Sequence, residues 1–178
     1  IADEAYAEYV SDPNFKSMAN LIQDGLDNVV LLKTFSKLYA MAGMRVGFAV
    51  GAPAIIKMMK DQVAGEKLNY PGVTAALVSL DDEPFQEYSR ASNLESRKIL
   101  ASCFDKLGVK YLPSSTNFMF FELNEPIHAF QKKMAARNIL VGRPFPPAMT
   151  WCRISLGTPQ EMAYVANELT KMRAEGVF

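Results

Sequence analysis

The apolar positions of this chain change period along its length. NVVLLKTF (28–35) is a nearly continuous apolar run rich in β-branched residues, which predicts a buried strand. RVGFAVG (45–51) predicts a second strand closed by Gly51, and a short strand is expected over 1–3. Helical spacing appears near 15–24, with a turn at Gly25, and in APAIIKMMKDQV (52–63), where Pro53 suits a first turn. YPGVTAALVSLDD (70–82) opens as a turn and becomes a short apolar helix. From Glu83 to Leu107 the helical period persists as one long element that stops at Gly108. Beyond it, strands are expected at VKYL (109–112), TNFMFFEL (116–123), ILV (139–141) and WCRISLG (151–157), with a helix over 125–138. A closing amphipathic helix has Thr158 as N-cap, Pro159 in its first turn and Glu161 at the capping-box position.

Strands alternating with helices place the chain in the α/β class. Residues 1–82 read as the tail of a sheet domain, and 83–178 as a connecting helix followed by a small α/β domain. A strand that opens at residue 1 would leave neighbouring backbone groups unpaired. The chain is therefore expected to be the C-terminal part of something longer.

With 178 residues, 49% of them hydrophobic, there is material for a sizeable core. The 19 basic and 19 acidic residues balance, so no polyanion or nucleic-acid partner is expected. Cys103 and Cys152 lack metal-ligand spacing and read as reduced, buried thiols of an intracellular protein. No apolar run approaches the roughly 20 residues of a membrane span, and no charged-then-apolar leader pattern occurs.

The chemistry concentrates in LLKTFSKLYAMAGMRVGFAVG (31–51). A lysine after a buried strand can simply reach the surface along its own stem. Here Lys37 stands among Thr34, Ser36 and Arg45. Hydroxyls and a guanidinium fork at a strand end suit a phosphate. A lysine partly desolvated beside a cation is favoured in its neutral form, which attack on a carbonyl requires. A phosphate-bearing aldehyde cofactor held by a lysine fits this set.

TFSKLYAMAGMRVGF (34–48) resembles the lysine segment of the fold-type-I pyridoxal-phosphate enzymes, specifically the class I/II aminotransferases, and within them the histidinol-phosphate aminotransferase branch. The family pattern S-K-x-x-G-L-A-G-x-R-x-G-[YF] is matched at Ser36, Lys37, Ala42, Gly43, Arg45, Gly47 and Phe48. Ala40 stands where Gly is usual, and Met41 where Leu is usual. The resemblance covers the whole chain but only the C-terminal half of such an enzyme. It implies the end of the large-domain sheet plus the small C-terminal domain, with pyridoxal 5'-phosphate as cofactor. The implied reaction moves an amino group between an amino acid or histidinol phosphate and a 2-oxo acid. A cytoplasmic homodimer acting on small molecules is implied for the full-length protein.

By the same resemblance Lys37 is the catalytic lysine that attaches the cofactor, and Ser36, Thr34 and Arg45 hold its phosphate. DEAYAEY (3–9) resembles the family's D-E-A-Y segment. Asp3 would pair with the pyridine nitrogen, and Tyr6 would bond the phenolic oxygen. WCRISLGTPQEM (151–162) resembles the R-I-[ST]-x-G-[TS] segment, which makes Arg153 the substrate-anion arginine. Arg143 is a second candidate anion contact or a surface charge. Asn117 is either near the active site or a turn cap.

His128, the only histidine, falls in a helix, so neither a Ser–His–Asp nor a histidine–metal site can be assembled. Asp81, Asp82 and Glu83 read as capping a helix rather than as a metal site. Met41, Met44, Met58, Met59 and Met119 read as core filling. No G-x-G-x-x-G or G-x-x-x-x-G-K-[ST] occurs. Two rivals stay open: another reaction on the same scaffold, such as decarboxylation or elimination, and a non-catalytic remnant.

Overall fold

The apolar run after Asn28 becomes strand β2 (Val30–Thr34), the centre of a three-stranded sheet. The computed structural model describes residues 1–63 and 68–178, which form two compact units, Ile1–Arg90 and Ala91–Phe178. In the first unit β1 (Ala2–Asp3) runs parallel to β2, with Asp3 opposite Leu32. Strand β3 (Gly47–Gly51) runs antiparallel on the other side, from Thr34↔Gly47 to Val30↔Gly51.

This β3 starts two residues later than its apolar pattern suggests. Ala42–Met44 winds into a 3₁₀ turn and Arg45 adopts a left-handed backbone with φ 52°. Helix α1 (Met18–Gln23) is capped by Ser17, whose hydroxyl accepts from the Ala19 N–H. Helix α2 (Pro53–Gln62) carries Met58 and Met59 on exposed positions, 61% and 36% accessible. They are not core filling; Met41 and Met119 are.

Helix α3 is continuous from Tyr70 to Leu80, with Pro71 inside its first turn. Asn69 caps it, its side-chain oxygen accepting from the Gly72 N–H. Helix α4 (Glu83–Leu107) starts in the first unit and ends in the second. Asp82 caps it by accepting from the Phe85 N–H.

The second unit packs α4, α5 (Ile127–Ala135) and α6 (Pro159–Ala174) with an antiparallel pair, β4 (Phe118–Glu122) and β5 (Trp151–Ser155). Strand alternation sorts the side chains. Met119 and Phe121 of β4, with Cys152 and Ile154 of β5, enter the core. Phe118, Phe120, Trp151 and Arg153 take the alternate positions. Phe121 lies between Phe104, centroids 4.6 Å apart, and Phe130, at 5.9 Å. Cys103 and Cys152 are buried free thiols, and burial pushes the Cys152 thiol up to about 12. Helix α6 carries the full capping box between Thr158 and Glu161.

Two expected strands do not form. VKYL makes only the bridge Tyr111↔Phe121. ILV fails because Asn138, at φ 59°, ends α5 in a left-handed turn. The Ile139 N–H is then committed to Met134 O at 3.0 Å, leaving Gly142 N–H to Arg153 O as the link to β5. Among the described residues no helix is long and apolar enough to cross a membrane.

The Phe104–Phe121–Phe130 stack predicts a sharp cost for truncation. Phe121→Ala should lower the stability of the second unit by about 3–5 kcal/mol. Urea unfolding followed by the emission of Trp151, the single tryptophan and a β5 residue, measures it.

Candidate active site

Because β1 and β2 are parallel, their carboxyl ends share one edge of the sheet, the edge where open α/β sheets bind ligands. Asp3 is the last residue of β1, and its Oδ1 accepts from the Ala5 N–H at 3.1 Å, bending the chain out of the sheet. Tyr6 follows in that bend. The Nζ of Lys37, three residues past β2, lies 5.0 Å from the Tyr6 ring centroid. Among the described residues no carboxylate lies within ion-pair distance of Lys37.

The lysine loop is fixed by burial at every third residue. Phe35, Leu38 and Met41 are 4%, 1% and 9% exposed, whereas Ser36 and Lys37 between them remain partly accessible. Phe35 also packs on Tyr39, 4.8 Å between centroids. Backbone bonds close the loop: Met41 N–H to Phe35 O and Ala40 N–H to Lys37 O, each 3.0 Å. The Ser89 hydroxyl holds Leu38 O at 2.9 Å.

The Thr34 hydroxyl is committed to this turn, accepting from the Ser36 N–H at 3.1 Å and facing Val46 O at 3.5 Å. Arg45 is exposed, and one guanidinium nitrogen donates to Ala42 O at 2.8 Å. Asn69 bolts the cap of α3 to this turn by donating to Met44 O at 3.0 Å. An amine without a carboxylate partner among the described residues, a nearby serine hydroxyl and an exposed guanidinium suit a phosphate-bearing aldehyde. Lys37, Ser36, Arg45, Asp3 and Tyr6 are the residues fitted to hold one.

Lys33, in the same 31–51 stretch, is a structural tie beside the candidate site that the sequence reading passed over. Its Nζ sits 3.2 Å from Glu4 Oε2 and 2.9 Å from Glu8 Oε1. Glu4 also accepts from the Ser17 hydroxyl and the Met18 N–H, each at 2.7 Å. Burial works against the charge on Glu4. The bonds from Met18, Ser17 and Lys33 outweigh it and hold the carboxyl below its ordinary value of 4.5. Burial likewise opposes the Lys33 ammonium, but Glu8 and Glu4 raise its pKa above the ordinary 10.5. Asp3 and Tyr6 flank this network, so it sets the path of the segment that carries them. The i, i+4 pair Glu4 and Glu8 beside the D-E-A-Y segment was the available signal.

In the second unit, Arg153 of β5 pairs in register with Phe120. Its Cζ lies 4.7 Å from the Phe145 ring centroid and 5.3 Å from that of Phe118. Its Nε is buried with no hydrogen-bond partner among the described residues. Arg143 is exposed, bonds Pro144 O at 3.1 Å and stacks on the same Phe145 ring at 4.3 Å. The two arginines are therefore brought together on one ring. Asn117 is partly buried, and among the described residues its side chain makes no capping bond in its turn. The hydroxyls of Ser114 and Thr116 cap it, at 2.6 and 3.0 Å from Phe118 O. His128 is exposed and faces Gln131.

The family described as aminotransferase class I and II matches residues 1–169. The chain belongs to the class I and II aminotransferases. It is 33% identical over 181 residues to histidinol-phosphate aminotransferase of Lysinibacillus sphaericus, covering 100% of this chain and 49% of the relative. A solved structure from Erwinia carotovora atroseptica, provisionally named a histidinol-phosphate aminotransferase, is 52% identical. It superposes with a TM-score of 0.95 over 99% of this chain and 51% of its own. The Sinorhizobium meliloti histidinol-phosphate aminotransferase, solved with pyridoxal-5'-phosphate, is 25% identical with a TM-score of 0.83, over 97% of this chain and 48% of its own. The aminotransferase chain thus spans about half the length of the curated relatives it matches.

Two predictions follow from the geometry of this aminotransferase segment. Glu4 has a lowered pKa, so its contribution is complete above pH 4.5 and lost as pH falls through its folded value. Lys33 has a raised pKa, so its contribution holds below 10.5 and is lost as pH rises through its folded value. Glu4→Gln should cost about 1.5–3 kcal/mol near neutral pH, with the difference shrinking as the wild-type Glu4 itself protonates. Exchange of the Met18 amide across that pH range measures it. Ala40 holds φ 54°, which supplies the reason that Gly is usual there. Ala40→Gly should stabilise the loop by up to about 1 kcal/mol, read from slower exchange of the Met41 amide.

Proposed function

We propose that the protein to which this chain belongs is a pyridoxal-phosphate-dependent aminotransferase. It moves an amino group between an amino acid or histidinol phosphate and a 2-oxo acid. The observation that carries this reading is Lys37, an amine with no carboxylate partner among the described residues, lying against Tyr6 at the carboxyl edge of β1 and β2. The bound cofactor supplies an electron sink for the charge that develops on the substrate Cα.

This chain's residues do the rest. Lys37 Nζ would hold the cofactor through its aldehyde and would carry the proton at the substrate Cα. The Asp3 carboxylate would accept from the pyridine nitrogen, and the Tyr6 hydroxyl would face the phenolic oxygen. Ser36 and Arg45 hold the phosphate, and Thr34 shapes the turn that presents Ser36. Arg153 grips the substrate carboxylate, with Arg143 as the second anion contact and Asn117, the residue just before β4, as a further substrate contact.

In this reading residues 1–82 end the large cofactor domain, and 83–178 are the connecting helix and small domain. Catalysis belongs to the whole protein, acting in the cytoplasm as a homodimer. The exposed apolar side chains Tyr70, Leu77 and Val78 of α3, 80%, 62% and 68% accessible, support a partner surface there.

Reduction with borohydride in the presence of pyridoxal phosphate, followed by peptide mapping of the full-length protein, is the test. A phosphopyridoxyl group is expected on Lys37. Its appearance on another lysine, or on none, would reject the reading.

A further inference from the structure

We infer that Phe145 is a positioning residue: its ring holds the guanidiniums of Arg143 and Arg153 and leaves the N–H edges of Arg153 to a substrate carboxylate. This rests on the role proposed above for Arg153.

An arginine can be fixed in two ways. A carboxylate fixes it through its N–H fork and so consumes the donors that would bind a ligand. Arg137 is fixed in this way, 2.6 Å from Glu175 and 3.6 Å from Glu168. An aromatic ring attracts the guanidinium through its π face and does not occupy the N–H groups as a carboxylate does. Arg153 is fixed in this second way, by Phe145 at 4.7 Å and Phe118 at 5.3 Å. It has no carboxylate partner among the described residues, and its buried Nε has no acceptor. Such a donor is costly to bury and is satisfied when an anion arrives.

Phe145 is itself held. Its ring meets Phe120 edge-on at 6.1 Å and 83°, and Phe120 stacks on Trp151 at 5.2 Å. Its carbonyl accepts from the Ala148 N–H at 2.7 Å. Phe118, Phe120, Phe145, Pro146, Pro147 and Arg153 line a cavity of about 490 Å³. The rings that orient Arg153 are therefore apolar, while Ser114, Ser115 and Thr116 add hydroxyl-bearing residues to the lining of the same cavity. Two guanidiniums sharing Phe145 also make that ring the point through which one substitution loosens both.

The test titrates the full-length protein, uniformly labelled with ¹⁵N, with maleate, an unreactive dicarboxylate. The Arg153 Nε–H resonance is expected to move on binding. Phe145→Leu should weaken maleate about tenfold, while Phe145→Tyr and Phe145→Trp, which keep a π face, stay within about twofold of wild type. The β4 and β5 amide resonances should be unchanged in all three. Should the Leu variant lose them, Phe145→Met, which fills the space without a ring, replaces it in the comparison. A Leu or Met variant that binds as wild type overturns the inference, as does a Tyr variant as weak as Leu. A wild-type chain whose Arg153 resonance ignores maleate overturns it too. A phosphopyridoxyl group on Lys37 together with any of these outcomes would sink the role of Phe145 alone; no group on Lys37 sinks the functional reading instead.

Discussion

The lysine end of this chain depends on burying three apolar side chains spaced three residues apart. Phe35, Leu38 and Met41 are nearly inaccessible, and each contributes roughly 1.5–3 kcal/mol by leaving water. That burial offsets the cost of holding a loop rather than a helix after β2. Ser36 and Lys37 lie between the anchors and cannot follow them inward. The catalytic candidate is thus placed by its neighbours' hydrophobicity more than by any bond of its own. The same anchors brace the 3₁₀ turn at Ala42–Met44, against which Asn69 locks the start of α3.

Around this loop the molecule treats its cations differently according to their task. Lys33 is saturated by Glu4 and Glu8 and serves as a tie between β2 and the segment leaving β1. Lys37, four residues later, meets an aromatic ring and no carboxylate among the described residues. The second unit repeats the contrast, with Arg137 saturated by two glutamates and Arg153 set against rings. A cation satisfied by carboxylates stabilises; one held by aromatic faces keeps donors in reserve.

This contrast also marks how far the sequence could be read. The strands at 30–34 and 47–51, the helix over 83–107 and the capping box at Thr158 were legible because period and caps are local signals. The family was legible because the spaced motif over 34–48 is long. VKYL and ILV misled because a β-branched run says nothing about partners. Asn138 diverted the Ile139 N–H to the end of α5 before a ladder could form. Met58 and Met59 misled because a helical stripe gives a face but not what covers it. The pairing of Lys33 with Glu4 and Glu8, and of Phe145 with two arginines, joins positions whose contact depends on the fold. No local pattern reports either.

Strain completes the picture of the lysine loop. Of the three non-glycine residues with positive φ among those described, Ala40 and Arg45 bracket the turn that follows Lys37. Backbone held in such regions costs on the order of 1–3 kcal/mol per residue and persists where surrounding contacts over-determine it. Here the contacts are Met41 in the core, the Met41 N–H on Phe35 O and Asn69 on Met44 O. Asn138, the third, is a residue type that tolerates the conformation and merely ends a helix. An alanine and an arginine are held in it within six residues of each other, so the contacts that fix the turn after Lys37 outweigh a cost that Asn138 largely escapes.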